Sequence, residues 1–332
     1  MRSSSKQMET LFQRTLDRLH AAGQSRAEPG IACLQAKVSF AAWMILRTAT
    51  HSQAKGHRLS AVGRLCVWQL WRKVPKAGAI VQLSGGERLW CPPWSHLAAA
   101  WLSVGDHEAE LPFVRRFLRP GDAFVDVGAN IGVYSVIAAL KGARVLCFEP
   151  NRDARAMLAA NLALNDVEDR VQVLSCALAD FSGSARFTTD LESSNRLEID
   201  GNANGALIEV REFDELAEAK APVTLMKIDA EGFDEAVLRG AKRMLERERP
   251  VLIVETWAGA RSIRQFLGTL GYEFFLYEDG LCPVPPDFER DANLVAIHIN
   301  RVESVRERLG GVRPERRRAP RARWVLGRDW RA

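Results

Sequence analysis

Short apolar runs alternate with helical segments over the central part of the chain. Runs such as 124–127 and 225–228 are typical of buried strands. The segments between them repeat apolar residues every three or four positions, as amphipathic helices do. Strands are predicted over residues 123–127, 143–148, 171–176, 223–228, 251–255, 272–277 and 292–299. Helices are predicted over residues 108–118, 133–141, 153–164, 233–247 and 260–270.

This alternation predicts an α/β fold. Strands that are connected through helices run parallel, with the helices on both faces of the sheet. The last two predicted strands have no helix between them, so we expect an antiparallel pair at one edge. The prediction is therefore a mostly parallel seven-stranded sheet with an antiparallel edge strand. A further short pair of strands is predicted near 184–189 and 206–212.

A helical prefix precedes this body. Apolar residues recur at helical spacing over 5–22, and further helices are predicted over 31–47 and 59–73. Residues 79–92 predict a β-hairpin that turns at a Ser-Gly-Gly sequence. The amphipathic helices are expected to pack on the body or on a second subunit, and contact with a membrane surface stays an alternative.

Charge divides the chain into three regions, which we take as its domain organisation. Residues 1–105, the prefix and hairpin on the substrate side, carry 14 basic and 4 acidic residues. Residues 106–300, the α/β body, carry 21 basic and 33 acidic residues. Residues 301–332 carry 11 arginines against 4 acids, and the prolines among them predict a disordered tail. The basic flanks are either solvated arms or contacts for nucleic acid, anionic lipid or an acidic glycan.

Cysteine usage and hydropathy indicate a cytoplasmic protein. The six cysteines are scattered without a C-x-x-C pair, so neither a zinc site nor a disulfide framework is predicted. The longest apolar run in the prefix, 38–46, is far shorter than the roughly 20 residues that span a bilayer. No transmembrane segment is therefore expected.

A small-residue loop follows the first predicted strand of the body. Gly128 and Gly132 lie in it, but Asn130 and Val133 replace the other glycines of the G-x-G-x-x-G dinucleotide fingerprint. Asp126 stands just before the loop, where a carboxylate would repel a pyrophosphate and attract a cationic ligand. The pattern favours S-adenosylmethionine over NAD, although a glycine-rich turn without any ligand stays an alternative.

Glu149 ends the next strand of the predicted sheet. A carboxylate in this position can accept hydrogen bonds from ribose hydroxyls, which again indicates a cofactor that contains a nucleoside.

Three charged residues mark the end of the strand near 225. Alternation predicts that Lys227, Asp229 and Glu231 project to the same side of the sheet. Asp229 or Glu231 can act as the base that deprotonates an alcohol, and Lys227 keeps its carboxylate partner ionised. A structural ion cluster is one alternative, and a divalent cation shared with Glu255 is another. We predict no metal, because the sequence shows no Asp-Asp-Asn-like cluster.

The combination of these segments resembles the FkbM-type family of S-adenosylmethionine-dependent methyltransferases. The matching segments are DVGANIG (126–132), FEP (148–150), ALAD (177–180), KIDAEG (227–232) and VLRGA (237–241). The resemblance covers roughly 108–300 and leaves out the prefix and the tail.

The resemblance implies a Rossmann-like class I methyltransferase that O-methylates sugar or natural-product hydroxyls with S-adenosylmethionine. By matched position, Gly128, Asn130 and Gly132 would hold the methionine part and Glu149 the ribose. The segment at Ala177 would border the adenine.

Two other functions stay open. A nicotinamide-dependent oxidoreductase could use a similar sheet, but the chain has no Tyr-x-x-x-Lys pair. The basic flanks could serve a nucleic-acid methyltransferase, but no Asn/Asp-Pro-Pro-Tyr segment is present to hold a flipped base. We therefore expect a small-molecule or glycan hydroxyl as acceptor, with a homo-oligomer through the prefix as a further possibility.

Overall fold

The computed structural model shows an α/β body with a small accessory sheet beside it. It describes residues 44–46, 48–51, 54, 56–93, 97–106, 108, 110–187, 197–198, 206–256, 261–278, 280–285, 287–310 and 321–327. The helix predicted over 5–22 and most of the helix predicted over 31–47 lie outside these residues.

The secondary structure follows the predicted alternation closely. The strands are β1 (Ala77–Gln82), β2 (Arg88–Cys91), β3 (Ala123–Val127), β4 (Arg144–Phe148), β5 (Val171–Leu174), β6 (Ala177–Leu178), β7 (Gly183–Phe187), β8 (Leu197–Glu198), β9 (Ala206–Arg211), β10 (Leu225–Ile228), β11 (Val251–Thr256), β12 (Tyr272–Tyr277), β13 (Leu281–Pro283), β14 (Ala292–His298) and β15 (Arg321–Leu326). The helices are α1 (Arg58–Trp71), α2 (Leu97–Val104), α3 (Leu111–Phe117), α4 (Val133–Leu140), α5 (Arg152–Leu164), α6 (Asp234–Gly240), α7 (Lys242–Glu248), α8 (Arg261–Thr269) and α9 (Val302–Gly310). The helix predicted over 233–247 is interrupted at Ala241 and forms α6 and α7.

The main sheet has the order β13-β12-β14-β11-β10-β3-β4-β5. Strands β11, β10, β3, β4 and β5 are parallel neighbours, and β14 runs antiparallel between β11 and β12. The Rossmann-like class and the antiparallel pair at one edge are therefore confirmed. The short strand β13 adds an eighth, antiparallel strand at that edge beyond the seven predicted.

Both faces of this sheet are buried. Alternate residues of β3 enter opposite hydrophobic layers, with Phe124 on one side and Val125 on the other. Leu225 and Met226 of β10 divide in the same way. Two-sided burial explains the nearly continuous apolar runs in the sequence, since each side chain of a central parallel strand needs an apolar neighbour.

The predicted hairpin forms, but the tail that was expected to be disordered contributes its third strand. Strand β15 pairs antiparallel with β1, and β1 pairs with β2. Trp324 stacks on Trp68 of α1 with 6.1 Å between ring centroids. The prediction of disorder was wrong for 321–326. The open edge of β1 supplies backbone hydrogen-bond partners for this arginine-rich segment, and the indole of Trp68 supplies an apolar surface on which Trp324 packs.

A buried ion network joins the hairpin turn to the body. The Arg115 guanidinium of α3 donates to both carboxylate oxygens of Glu87, at 2.6 and 3.0 Å, and to Asp106 at 2.6 Å. It also donates to the hydroxyl of Ser84 at 3.2 Å. Such a fork of charge-assisted hydrogen bonds fixes the turn relative to α3.

Within the described part of the chain, no helix combines the length and the apolar character that crossing a bilayer requires.

Candidate active site

The cofactor loop, residues 128–132, connects β3 to α4 at the carboxyl end of the sheet. Three of its residues have left-handed backbone, with φ of +75° at Gly128, +50° at Asn130 and +86° at Gly132. The N–H groups of Gly128 and Ala129 both donate to the carbonyl of Phe148, at 3.0 and 3.1 Å. The loop is thus tied to the end of β4 and bends as the sequence predicts.

Asp126 lies beneath this loop and is fully buried. Its Oδ2 atom accepts a hydrogen bond from Ser135 Oγ at 2.7 Å. Its Oδ1 atom is buried and has no hydrogen-bond partner among the residues that the structure describes. Burial raises the pKa of Asp126, and the nearby Lys227 opposes that shift. An orphaned acceptor at this position fits a ligand that brings its own N–H donors, as an amino-acid ammonium does.

Glu149 is held rigidly between two backbone amides. Its Oε2 atom accepts from the N–H of Asn130 and its Oε1 atom from the N–H of Asn151, both at 2.8 Å. Burial raises the pKa of Glu149, while the two amides lower it. Each carboxylate oxygen has a second lone pair. The side chain can therefore accept two more hydrogen bonds, which is what a ribose diol would donate.

Ala177 opens the short strand β6 just beyond the end of β5. It is buried and pairs with Val210 of β9. The segment therefore lies at the carboxyl rim on the same side as Glu149, whose N–H donates to Leu174 at 3.1 Å. Its role beside an adenine stays a prediction.

Lys227 and Asp229 form a close ion pair at the end of β10. Lys227 Nζ lies 2.8 Å from Asp229 Oδ2 and 4.6 Å from the centre of the Tyr134 ring. Burial alone would lower the pKa of Lys227, but the carboxylates of Asp229 and Asp126 outweigh it and raise the pKa. Lys227 is paired with Asp126 in the register of β10 and β3. Its buried ammonium therefore interacts electrostatically with the carboxylates of both Asp126 and Asp229.

Glu255 at the end of β11 joins this pair. Burial would raise the pKa of Asp229, but Lys227 and a hydrogen bond from Glu255 lower it. Burial and the neighbouring Asp229 raise the pKa of Glu255. The ionised form of Asp229 and the protonated form of Glu255 are therefore favoured.

Glu231 does not continue the alternation that the sequence predicts. Strand β10 ends at Ile228, and Glu231 occupies a turn with φ of +49°. Asp234 holds this turn, because its carboxylate accepts the N–H of Ala230 at 2.9 Å and that of Gly232 at 3.2 Å. The charge of Glu231 contributes to the raised pKa of Glu255, and its common side with Lys227 and Asp229 stays a prediction.

Glu110 and Asn293 are rim residues that the sequence analysis missed. Glu110 is buried and accepts a hydrogen bond from Asn293 Nδ2 at 3.2 Å. Burial, with the charge of Glu108, raises the pKa of Glu110 to about 7. Asn293 is opposite Glu255 in the β11–β14 register. Pro112 marks a helix start in the sequence, and that signal could have placed Glu110 at this rim.

Among the described residues, no three His, Cys, Asp or Glu side chains form a group that could hold a metal ion.

Comparison with known proteins identifies one family. The model of the methyltransferase FkbM domain matches residues 126–274. Methyltransferase sdnD of Sordaria araneosa is 30% identical over 176 residues, which cover 42% of this chain and 68% of that protein. The 31-O-demethyl-FK506 methyltransferase FkbM of Streptomyces tacrolimicus is 44% identical over 73 residues, or 21% of this chain and 27% of that protein.

A solved structure of similar description was also found. The crystal structure of methyltransferase FkbM from Methylobacillus flagellatus KT is 18% identical, with a TM-score of 0.39. The match covers 71% of this chain and 59% of the other chain.

Proposed function

The chain belongs to the FkbM family of S-adenosylmethionine-dependent methyltransferases, and we propose that it methylates a hydroxyl oxygen of a sugar, a glycan or a natural product. The observation that carries the proposal is the Lys227–Asp229 pair, with Glu255, at the rim directly beside the cofactor loop. A half-buried carboxylate with a lowered pKa would thus lie next to the residues that would hold the methyl donor.

The residues of the cofactor side fit S-adenosylmethionine. The orphaned Oδ1 of Asp126 would face the ammonium of the methionine part, across the loop of Gly128, Asn130 and Gly132. Glu149 would accept the ribose hydroxyls, and Ala177 would border the adenine. When bound, the cofactor supplies an electrophilic methyl group on a sulfonium.

Asp229 is the proposed general base. A free alcohol holds its proton far too tightly for a carboxylate, but its oxygen becomes strongly acidic as the new C–O bond forms. An ionised carboxylate is then sufficient to accept the proton. Lys227 keeps Asp229 in that form, and the hydrogen bond from Glu255 fixes its orientation.

Glu231 has a supporting part in this proposal. It lies in the turn directly after Asp229, and its charge adds to the negative field of the rim. It is the second candidate base because the turn brings a further carboxylate to the same edge of the sheet.

A hydroxyl acceptor is supported by two independent observations. The Streptomyces tacrolimicus relative is named as a methyltransferase of 31-O-demethyl-FK506, a compound that lacks a methyl group on an oxygen. In addition, the rim of this chain supplies carboxylates for proton removal, which an alcohol needs and a more acidic acceptor would not.

The test begins with calorimetry of the purified protein against S-adenosylhomocysteine and NADH. Binding of the first and not of the second is expected. Transfer of a radioactive methyl group is then measured on a panel of hydroxylated sugars, polyketides and RNA. Labelled sugar or polyketide supports the proposal. Labelled RNA alone, or NADH binding without S-adenosylhomocysteine binding, overturns it.

A further inference from the structure

The outer edge of strand β2 is covered by the side chains of Asn161 in α5 and of Asn165, the residue that caps the carboxyl end of this helix. The N–H of Trp90 donates to Asn161 Oδ1 at 2.7 Å, and the N–H of Arg88 donates to Asn165 Oδ1 at 2.9 Å. Asn165 Nδ2 donates back to the carbonyl of Arg88 at 2.7 Å. One turn apart on the helix, the two amides thus replace the neighbouring strand that an edge otherwise lacks.

Asn161 also reaches the cofactor loop. Its Nδ2 atom donates to the carbonyl of Ile131 at 2.8 Å, and the side chain is fully buried. The following N–H, that of Gly132, donates to the carbonyl of Ala129 at 2.8 Å. Both polar ends of the peptide between Ile131 and Gly132 are therefore fixed, one by the loop itself and the other by Asn161.

The accessory sheet holds the other side of this contact in place. The indole of Trp90 lies over Gly78, where a Cβ atom would come within 2.2 Å of the ring. Trp90 packs in one buried cluster with Val325 of β15 and Leu164 of α5. The backbone of β2 therefore cannot shift away from Asn161 without disturbing this packing.

From these contacts we propose that Asn161 is a positioning residue for the cofactor loop, and that the accessory sheet acts through it as part of the cofactor-binding apparatus. The inference rests on the proposed function, because it concerns S-adenosylmethionine affinity. It gives the hairpin of β1 and β2 and the strand β15 a part in cofactor binding, where the sequence had indicated the substrate side for the hairpin.

Asn161→Asp and Asn165→Asp are matched variants. Each variant keeps a side-chain oxygen that can accept an N–H of β2. Each loses the side-chain Nδ2 group, which is the hydrogen-bond donor. The lost donor reaches the cofactor loop in Asn161→Asp, whereas in Asn165→Asp it reaches the carbonyls of Arg88 and Asn161. Calorimetry with S-adenosylhomocysteine and thermal unfolding are measured on both full-length variants.

We expect Asn161→Asp to raise the Kd about tenfold, the equivalent of one lost buried hydrogen bond, and Asn165→Asp to leave it within about twofold. Equal Kd values in the two folded variants overturn the inference. If Asn161→Asp does not fold, Trp324→Ala tests the same link from the accessory side, where an unchanged Kd overturns it. A wild-type protein that ignores S-adenosylhomocysteine overturns the proposed function itself, and the inference with it.

Discussion

The backbone carbonyl oxygen of Asp229 lies 1.9 Å from the position that a Cβ atom on Gly128 would occupy. The loop after β3 and the loop after β10 therefore touch through backbone alone. Asp229 N–H also donates to the carbonyl of Val127 at 3.1 Å. This contact sets the distance between the proposed cofactor side and the proposed acceptor side of the site.

Gly128→Ala is expected to separate these two loops. The left-handed backbone at this position costs an alanine about 1 kcal/mol, and displacing a carbonyl costs a further 1–3 kcal/mol or so. We expect a lower unfolding midpoint and loss of S-adenosylhomocysteine binding, measured by thermal unfolding and calorimetry.

Gly121→Ala is the control for backbone strain. Gly121 has a similar φ of +86°, but a Cβ atom there would meet nothing within 4 Å. Gly121→Ala should therefore lose only the stability that the left-handed backbone costs, without the cost of a displaced carbonyl, and should retain cofactor affinity. Equal losses of stability and affinity in the two variants would show that the Asp229 contact has no special importance.

Asp229→Asn is expected to abolish methyl transfer while cofactor affinity changes little. An amide has the shape of the carboxylate but cannot accept a proton, so turnover should fall by at least about 100-fold. Initial rates and S-adenosylhomocysteine affinity are measured side by side. Glu235→Gln, which removes a charge from α6 next to Arg239, should leave the rate unchanged. Unaltered turnover in Asp229→Asn would refute the assignment of the base.

The stability of the protein should depend on pH through Glu110. Its pKa is raised from 4.5 to about 7, so the folded state holds the proton more tightly than the unfolded chain. The stabilisation of the folded state by protonated Glu110 is fully present below about pH 4.5 and is lost as the pH rises through about 7. Glu110→Gln stays neutral, so relative to wild type it should gain up to about 3 kcal/mol across this interval.

Urea unfolding at several pH values checks this expectation. Glu273→Gln, the same chemical change at an exposed residue of β12, should follow the wild-type curve. Parallel curves for wild type and Glu110→Gln would contradict the raised pKa.

The Arg115 network should contribute strongly to stability. Arg115→Met leaves the carboxylates of Glu87 and Asp106 buried without their common partner, which costs about 3–5 kcal/mol. Arg261→Met removes an ion pair with Glu289 that is 88% exposed on the arginine side, so it should cost less than about 1 kcal/mol. Urea denaturation compares the two, and similar losses would argue against the network.

The sequence predicted the parts of the molecule that depend on local pattern. The strand alternation, the loop of Gly128 to Gly132 and the carboxylate of Glu149 all follow from neighbours within a few residues. Lys227 and Asp229 could be paired because they are two positions apart at the end of one strand.

The missed features depend on contacts between distant segments. Glu110 joins the rim through Asn293, which is 183 positions away, and Asn161 reaches Trp90 across 71 positions. Strand alternation does not reach Glu231, because β10 ends at Ile228 and a turn held by Asp234 follows. The segment at Trp324 was judged by its arginines, although its partners are the edge of β1 and the indole of Trp68.

Pairing between β1 and β15 also has a consequence for biosynthesis. The strand at Ala77 leaves the ribosome long before its partner at Leu326 is translated. Until β15 has been translated, the nascent chain therefore presents an open strand edge, although the parallel sheet encoded between the two strands can already assemble. Completion of the small sheet thus follows that of the parallel sheet, and the open edge of β1 is susceptible to wrong pairing in the interval.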